Sequence, residues 1–288
     1  LKAKGSLWSA SALIEKKYHQ LIIDVHLDFI NSGADVIVTN SFTTRRTRLR
    51  QHNSEKYFEY ANEKSGELAI KAKEISKKNV LIAAGLPGQN NTYEADARDS
   101  KIIHKDFYDQ AQLLKPFADF FYLDVISSGK ECDIASNIIE KLNLPLLVGL
   151  HISKNGKLPS NESITDVVKK YKSNNWLGVI TACVSPEIIE QTTDELKSLN
   201  IPFGFKVNLW KEEPLPAYLI QPSDSKNVWG KNSGEIGINP NEVLGSRKDF
   251  EGKRFFEFAK KIMNKGATIL GGCCETKPSH IKEMAKLK

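Results

Sequence analysis

No apolar run in this sequence is long enough to cross a bilayer, so no transmembrane helix is expected. The opening residues, "LKAKGSLWSA", lack the apolar stretch of a secretory signal. Cysteine is scarce, 4 in 288 residues, which is too few for a disulfide framework. These absences together predict a cytoplasmic protein in a reducing compartment. No GxGxxG loop follows any strand-like run, so the usual phosphate-binding signature of a dinucleotide-binding sheet is missing. No internal repeat or linker-like segment divides the chain, and a single domain over residues 1–288 is expected.

What is present suits a globular protein able to bury a full core, with 40% hydrophobic residues. The net charge is +6, from 41 basic and 35 acidic residues. The lysines alternate with acids, as in "EKSGELAIKAKEISKK", which reads as solvated helix surface and not as a patch for nucleic acid or membrane. One dense basic run, "RRTRLR" at 45–50, stays open: it can bind an anionic group or solvate a loop or helix start.

Strand-like apolar runs occur at 34–40, 79–87, 118–127, 144–150, 176–184, 201–208 and 267–274. Most are continuously apolar, the pattern of strands covered on both faces. Between them lie amphipathic helical patterns. Residues 10–32 align Leu21, Ile22, Val25 and Phe29; residues 54–78 align Phe58, Ala61, Leu68, Ala72 and Ile75. Ser185 and Pro186 read as the N-cap and first turn of another helix, and Gly266 as a C-cap. Alternating strands and helices predict a parallel α/β fold, a (β/α)8 TIM barrel ahead of a doubly wound open sheet. The runs number seven and the chain opens on a helix, so the first barrel strand is expected to lie before Leu1. Residues 209–248, rich in Pro, Gly and Asn, read as an elaborated loop after the seventh barrel strand.

The carboxyl ends of barrel strands share one face, where chemistry sits. Those ends carry Thr39 and Asn40, Leu86 and Pro87, Asp124, His151, Cys183, Asn208, and the tandem Cys273 and Cys274. Three of the four cysteines therefore gather at one mouth, while Cys132 falls in a helix start and reads as an inert buried thiol. Two packed core cysteines, a vicinal disulfide, a redox pair and metal ligation are all open to "ILGGCCETKP" alone. The addition of Cys183 favours metal, because three thiolates with an open fourth position describe a substrate-binding zinc site. Gly271 and Gly272 ease the irregular backbone that two neighbouring ligands need.

"GATILGGCCETKPSHIKEMA" resembles the carboxyl-terminal signature of the homocysteine S-methyltransferase family. "ITACVSPE" resembles the segment that supplies its first zinc cysteine, and "LWSASALI", "HLDFINSGADVIVTNSFTT", "GLPGQNNTYEAD" and "FFYLDVISS" resemble earlier segments in the right order. The resemblance implies a (β/α)8 barrel whose first strand precedes Leu1. It implies Zn2+ held by Cys183, Cys273 and Cys274. It places Asp124 where the family usually has the Glu that holds the amino group of homocysteine. Asn40, Asn208, Ser127 and Tyr93 fall at pocket-lining positions, and His280 at a structural helix start. Two departures stand out: Val125 replaces a threonine after the carboxylate, and Ala182 an asparagine before the first zinc cysteine.

The reaction so implied is methyl transfer from a sulfonium or quaternary ammonium donor to the thiol of homocysteine, forming methionine. Tyr93, Trp8, Tyr122 and Phe42 are candidate aromatic faces for the cationic donor. A folate or cobalamin donor would need further domains. The expected partners are these small molecules, with no nucleic acid and no membrane, and with an oligomer compatible with the sequence. Two other readings remain: a thiol redox protein using Cys273 and Cys274, and a catalytically silent barrel.

Overall fold

The computed structural model of the chain describes residues 9–211 and 244–288. Among these residues there are seven strands: β1 (Val36–Val38), β2 (Leu81–Pro87), β3 (Phe120–Ile126), β4 (Leu146–Leu150), β5 (Trp176–Val184), β6 (Phe203–Val207) and β7 (Ile269–Gly272). They form one sheet in sequential order, every neighbouring pair parallel. Each expected run holds its strand. The helices are α1 (Ser9–Ile14), α2 (His19–Asn31), α3 (Arg46–Gln51), α4 (Phe58–Ser76), α5 (Ser100–Leu114), α6 (Gly129–Lys141), α7 (Ile164–Tyr171), α8 (Pro186–Ser198), α9 (Gly252–Asn264) and α10 (Pro278–Ala285).

Burial on both sheet faces explains the unbroken apolar runs. Inside the curl, Ala83, Phe120, Tyr122 and Ile180 pack together with Val38, Leu147 and Ile269. Outside it, Phe121, Val148, Val179 and Phe205 meet Phe107, Ile138, Val167, Ile189 and Phe255 from the surrounding helices. This is a TIM-like α/β fold. Among the described residues β1 and β7 end the sheet without pairing to each other. No helix is long and apolar enough to cross a membrane, among the same residues.

The helix boundaries follow local chemistry. Ser185 accepts a hydrogen bond from the Ile188 amide with Pro186 at the first turn of α8, as its sequence predicts. Ser163 and Asp166 form a reciprocal capping box on α7. Gly266, at φ +111°, ends α9 in a conformation that L side chains avoid.

Two expectations need correction. Residues 10–32 are not one helix: a 3-10 turn at Lys16–Tyr18 separates α1 from α2 and resets the phase. The buried row of α2 is therefore Ile22, Ile23, His26 and Ile30, and Leu21 is exposed. In α4, Ile75 is 46% exposed, whereas Ala61, Leu68 and Ala72 are buried as expected. Residues 212–243, most of the expected long loop, lie outside the described residues, as does Trp8.

The basic run turns inward upon the protein itself. Arg46 pairs with Asp109 at 2.8 Å and lies 4.0 Å over the Phe58 ring, and Arg50 pairs with Glu55 at 2.7 Å. Arg45 is buried, and its guanidinium donates to the Asn90 and Phe42 carbonyls and to Thr92 Oγ1, at 3.0, 2.7 and 2.8 Å. It thereby ties the loop after β2 to the segment after β1. An anion site is not what these arginines make.

A buried carboxyl beneath that loop gives a pH signature. Glu131 in α6 accepts from Ser128 Oγ at 2.6 Å, and burial pushes it up from 4.5 to about 7. Its folded value is the higher one, so the stabilisation it gives is full below pH 4.5 and is lost as pH rises through about 7. The shift corresponds to about 3 kcal/mol. Glu131→Gln should remove this contribution: the stability difference between wild type and variant, from urea unfolding, should change by about 3 kcal/mol between pH 4.5 and 8, favouring wild type at the acid end. A difference independent of pH would refute the assignment.

Candidate metal centre

Cys183 owes its direction to a break in strand register. Ala182 pairs with Lys206 and Val184 with Val207, which leaves Cys183 unmatched on the β5 side with φ 56°. Such a bulge turns one side chain away from the ladder. The Ala182 carbonyl accepts from His151 Nδ1 at 3.2 Å, which fixes the bulge from the neighbouring strand end. The Cys183 thiol then points into the mouth of the curled sheet, packed with Tyr93, Val125 and Trp210.

The tandem pair uses a different device. The Cys273 amide donates to the Val207 carbonyl at 2.7 Å, and this continues the β6/β7 ladder. A turn over 273–276 follows at once: the Thr276 amide and hydroxyl both donate to the Cys273 carbonyl, at 3.2 and 2.6 Å, with Glu275 at φ 61°. Gly272 permits the fold-back, because a Cβ there would stand 2.3 Å from Thr276 Oγ1. The Cys274 carbonyl accepts from the Leu209 amide at 2.9 Å. Both sulfurs face the same space as Cys183.

The sulfur atoms of Cys183, Cys273 and Cys274 lie within 4.8 Å of one another. The Cys183 and Cys274 sulfurs are 3.6 Å apart, and those of Cys273 and Cys274 are 3.8 Å apart. Thiolates around a tetrahedral zinc with bonds of ~2.3 Å stand about 3.8 Å from each other. The donor set and its spacing therefore fit that metal.

Polar groups surround the cluster. Tyr93 Oη is 3.1 Å from Cys183 Sγ, and Asn208 Nδ2 donates to the same sulfur at 3.4 Å. The Tyr93 ring also packs against His151 at 4.5 Å between centroids. Burial lowers His151 to about 4, so its ring is neutral near pH 7. The Cys273 thiol sits well below the ordinary thiol range, through hydrogen bonds from the other two cysteines and, against burial, the charge of Lys206.

Below the sulfurs, a second bulge repeats the first. Leu123 pairs with Val148 and Ile126 with Leu150, with Val125 between them at φ 62°. Asp124 points inward, where its Oδ2 accepts from Lys206 Nζ at 2.6 Å. Burial acts to lower Lys206, yet the charges of Asp124 and Cys273 hold it well above its ordinary value. Burial raises Asp124, and Lys206 opposes that rise.

The structure thus brings together Cys183, Cys273, Cys274, Tyr93 and Asn208, with Asp124 beneath. Asn40 is half-buried past β1 and makes no hydrogen bond to the thiols among the described residues. The Ser127 hydroxyl is buried with no partner, and its carbonyl accepts from the Ser160 amide. Phe42 packs at the edge of the cluster under Arg45, and Tyr122 belongs to the interior core. Cys132 is fully buried and pushed up to about 12, an inert thiol as expected. His280 accepts the Lys277 amide on Nδ1 and donates to the Phe250 carbonyl, a structural role. Lys206 was not anticipated, although a lone charge inside the apolar run "IPFGFKVN" was a visible signal.

Comparison with known proteins places this geometry. The chain is 27% identical to homocysteine S-methyltransferase 1 of Arabidopsis thaliana, over 97% of this chain and 86% of that protein. It is 22% identical to the S-methylmethionine–homocysteine S-methyltransferase BHMT2 of Pongo abelii, over 98% of this chain and 73% of the relative. Its fold matches the crystal structure of the homocysteine methyltransferase MmuM from Escherichia coli in metallated form, with a TM-score of 0.74 at 18% identity, covering 98% of this chain and 89% of that one. The family pattern of homocysteine S-methyltransferases matches residues 1–287, and the chain belongs to that family.

Proposed function

We propose that this protein is a single-domain, zinc-dependent S-methyltransferase. It moves a methyl group from a sulfonium or quaternary ammonium donor to the thiol of homocysteine, giving methionine. The observation that carries the reading is the convergence of three sulfurs from β5 and the end of β7 within 4.8 Å of one another, two of the pairs at 3.6 and 3.8 Å. Zinc held by Cys183, Cys273 and Cys274 would supply ionisation and positioning of an acceptor thiol at neutral pH.

The chain's own residues do the rest. Tyr93 and Asn208 hydrogen-bond the Cys183 sulfur and hold its direction. Neutral His151 adds no competing positive charge to the mouth. Trp210, Val125 and Leu244 give it apolar walls that keep water from the reacting sulfur. The acceptor sulfur forms a bond to the donor methyl carbon as the bond from that carbon to the cationic heteroatom breaks. The electron pair stays on the departing heteroatom, which leaves neutral, so no general base is needed at that step. Asp124, Asn40, Asn208, Ser127 and Tyr93 are the proposed lining of the acceptor pocket.

Reduced protein should carry about one zinc per chain by elemental analysis, since structural and catalytic zinc sites of this kind bind one ion. Cys273→Ser should lose both the metal and methyl transfer from S-methylmethionine to homocysteine. Methyl transfer by a metal-free sample, insensitive to chelators, would sink the proposal. Tyr93→Phe removes one hydrogen bond to Cys183 and should keep the metal while lowering kcat roughly 5- to 10-fold, the worth of about 1 kcal/mol. Loss of zinc in this variant would show instead that the tyrosine maintains the site's structure.

A further inference from the structure

Among the described residues, the floor of the mouth holds no free carboxylate to receive the α-ammonium group of a thiol amino acid. Asp124 is the carboxylate that the family resemblance assigns to the acceptor's amino group, yet Lys206 Nζ already stands 2.6 Å from its Oδ2. Both side chains are enclosed, at 6% and 16% exposure. The pair is neutral as a unit. A substrate ammonium that displaced Lys206 would leave a buried ammonium without its counter-charge, which is strongly unfavourable.

The unused hydrogen-bonding capacity points the other way. The Lys206 ammonium has three donors and gives one to Asp124. It lies 5.2 Å above the Tyr122 ring, whose buried hydroxyl interacts with the Asp124 carboxylate. The Asp124 carboxylate is engaged by Lys206 on Oδ2 and by the neighbouring Tyr122 hydroxyl. Among the described residues no side chain takes up the other two Lys206 donors. A buried floor of this composition suits an anionic group.

The depth agrees. Lys206 lies on β6 two residues before Asn208, which directly follows the strand, a separation of about 6–7 Å along an extended chain. Asn208 touches the Cys183 sulfur, so the floor sits about one layer beneath the thiols. A chain of three or four carbons between a sulfur and a carboxylate spans roughly 5–6 Å. Gly271 is paired with Lys206 across β6 and β7, and a Cβ there would stand in ordinary contact with the Phe205 carbonyl at 3.6 Å and Lys206 Cγ at 3.9 Å.

We infer that Lys206 is the specificity-determining residue of the acceptor subsite, which takes a thiol bearing a carboxylate and draws no binding from an α-ammonium group. This rests on the methyltransferase reading above and deepens it. Homocysteine fits through its carboxylate, and so does a mercaptocarboxylic acid that lacks the amino group.

The test is calorimetric binding of three thiols to the reduced, zinc-loaded full chain: homocysteine, 4-mercaptobutanoate and 3-mercaptopropylamine. Homocysteine and 4-mercaptobutanoate should bind within about threefold of each other, and the amine at least about tenfold more weakly, the ratio that one charge-assisted hydrogen bond supplies. Lys206→Met should erase the preference for the acid over the amine, and it frees Asp124, so homocysteine should then exceed 4-mercaptobutanoate about tenfold. Wild-type binding of homocysteine tenfold tighter than 4-mercaptobutanoate overturns the inference, as do unchanged ratios in Lys206→Met. The expected binding order without methyl transfer from any sulfonium or ammonium donor would support Lys206 and defeat the proposed reaction. Methyl transfer with the opposite order would do the reverse.

Discussion

The mouth of this sheet is organised by a failure of register between β5 and β6. One residue too many on β5, at Cys183, turns a thiol out of the ladder and toward two others delivered by the end of β7. Regular pairing would send alternate residues to opposite faces, and a cysteine one step out of phase would enter the helix-facing layer. A left-handed backbone at a non-glycine residue costs about 1–3 kcal/mol and persists only where surrounding structure enforces it. Here the enforcement is visible in the His151 bond to the Ala182 carbonyl and in the Asn208 and Tyr93 contacts on the sulfur. Val125 repeats the irregularity on β3 and brings Asp124 to the floor.

The electrostatics follow from that geometry. Three thiols in contact resist ionising together, because burial and mutual repulsion oppose the second and third charges. A dication removes this obstacle, which is why the donor set suits a metal better than an apolar core. Lys206 contributes a fixed positive charge from below, and Asp124 holds it in place. The two layers differ in character: sulfurs above, with polar contacts on Cys183, and a neutral ion pair below with unspent donors.

The long-range role of the basic run belongs to the same economy of positions. Arg45 spends its guanidinium on the Asn90 and Phe42 carbonyls and on Thr92, the residue before Tyr93. Tyr93 itself has φ 65°, so the loop reaches Cys183 by a sharp turn that the buried arginine holds closed. The segment after β1 is thereby coupled to the sulfur cluster, at whose edge its Phe42 packs.

The strand order, the two-faced burial and the mouth-facing cysteines were legible because each depends on local pattern: unbroken β-rich runs, helical stripes between them, and the last residue of a strand. The residues 10–32 were misread as one helix because periodicity carries no mark of the 3-10 turn at Lys16–Tyr18 that shifts its phase. "FKVN" shows a charged residue in a strand, but only packing shows that Lys206 meets Asp124 from a strand far along the chain. The sequence by itself therefore determined the fold class and placed three candidate sulfur donors at strand ends on one face, since both are written in local pattern. The tertiary structure alone decided that these donors lie at metal-binding distance and that the floor carboxylate is already paired, because bulges and cross-barrel contacts depend on distances that no local pattern encodes.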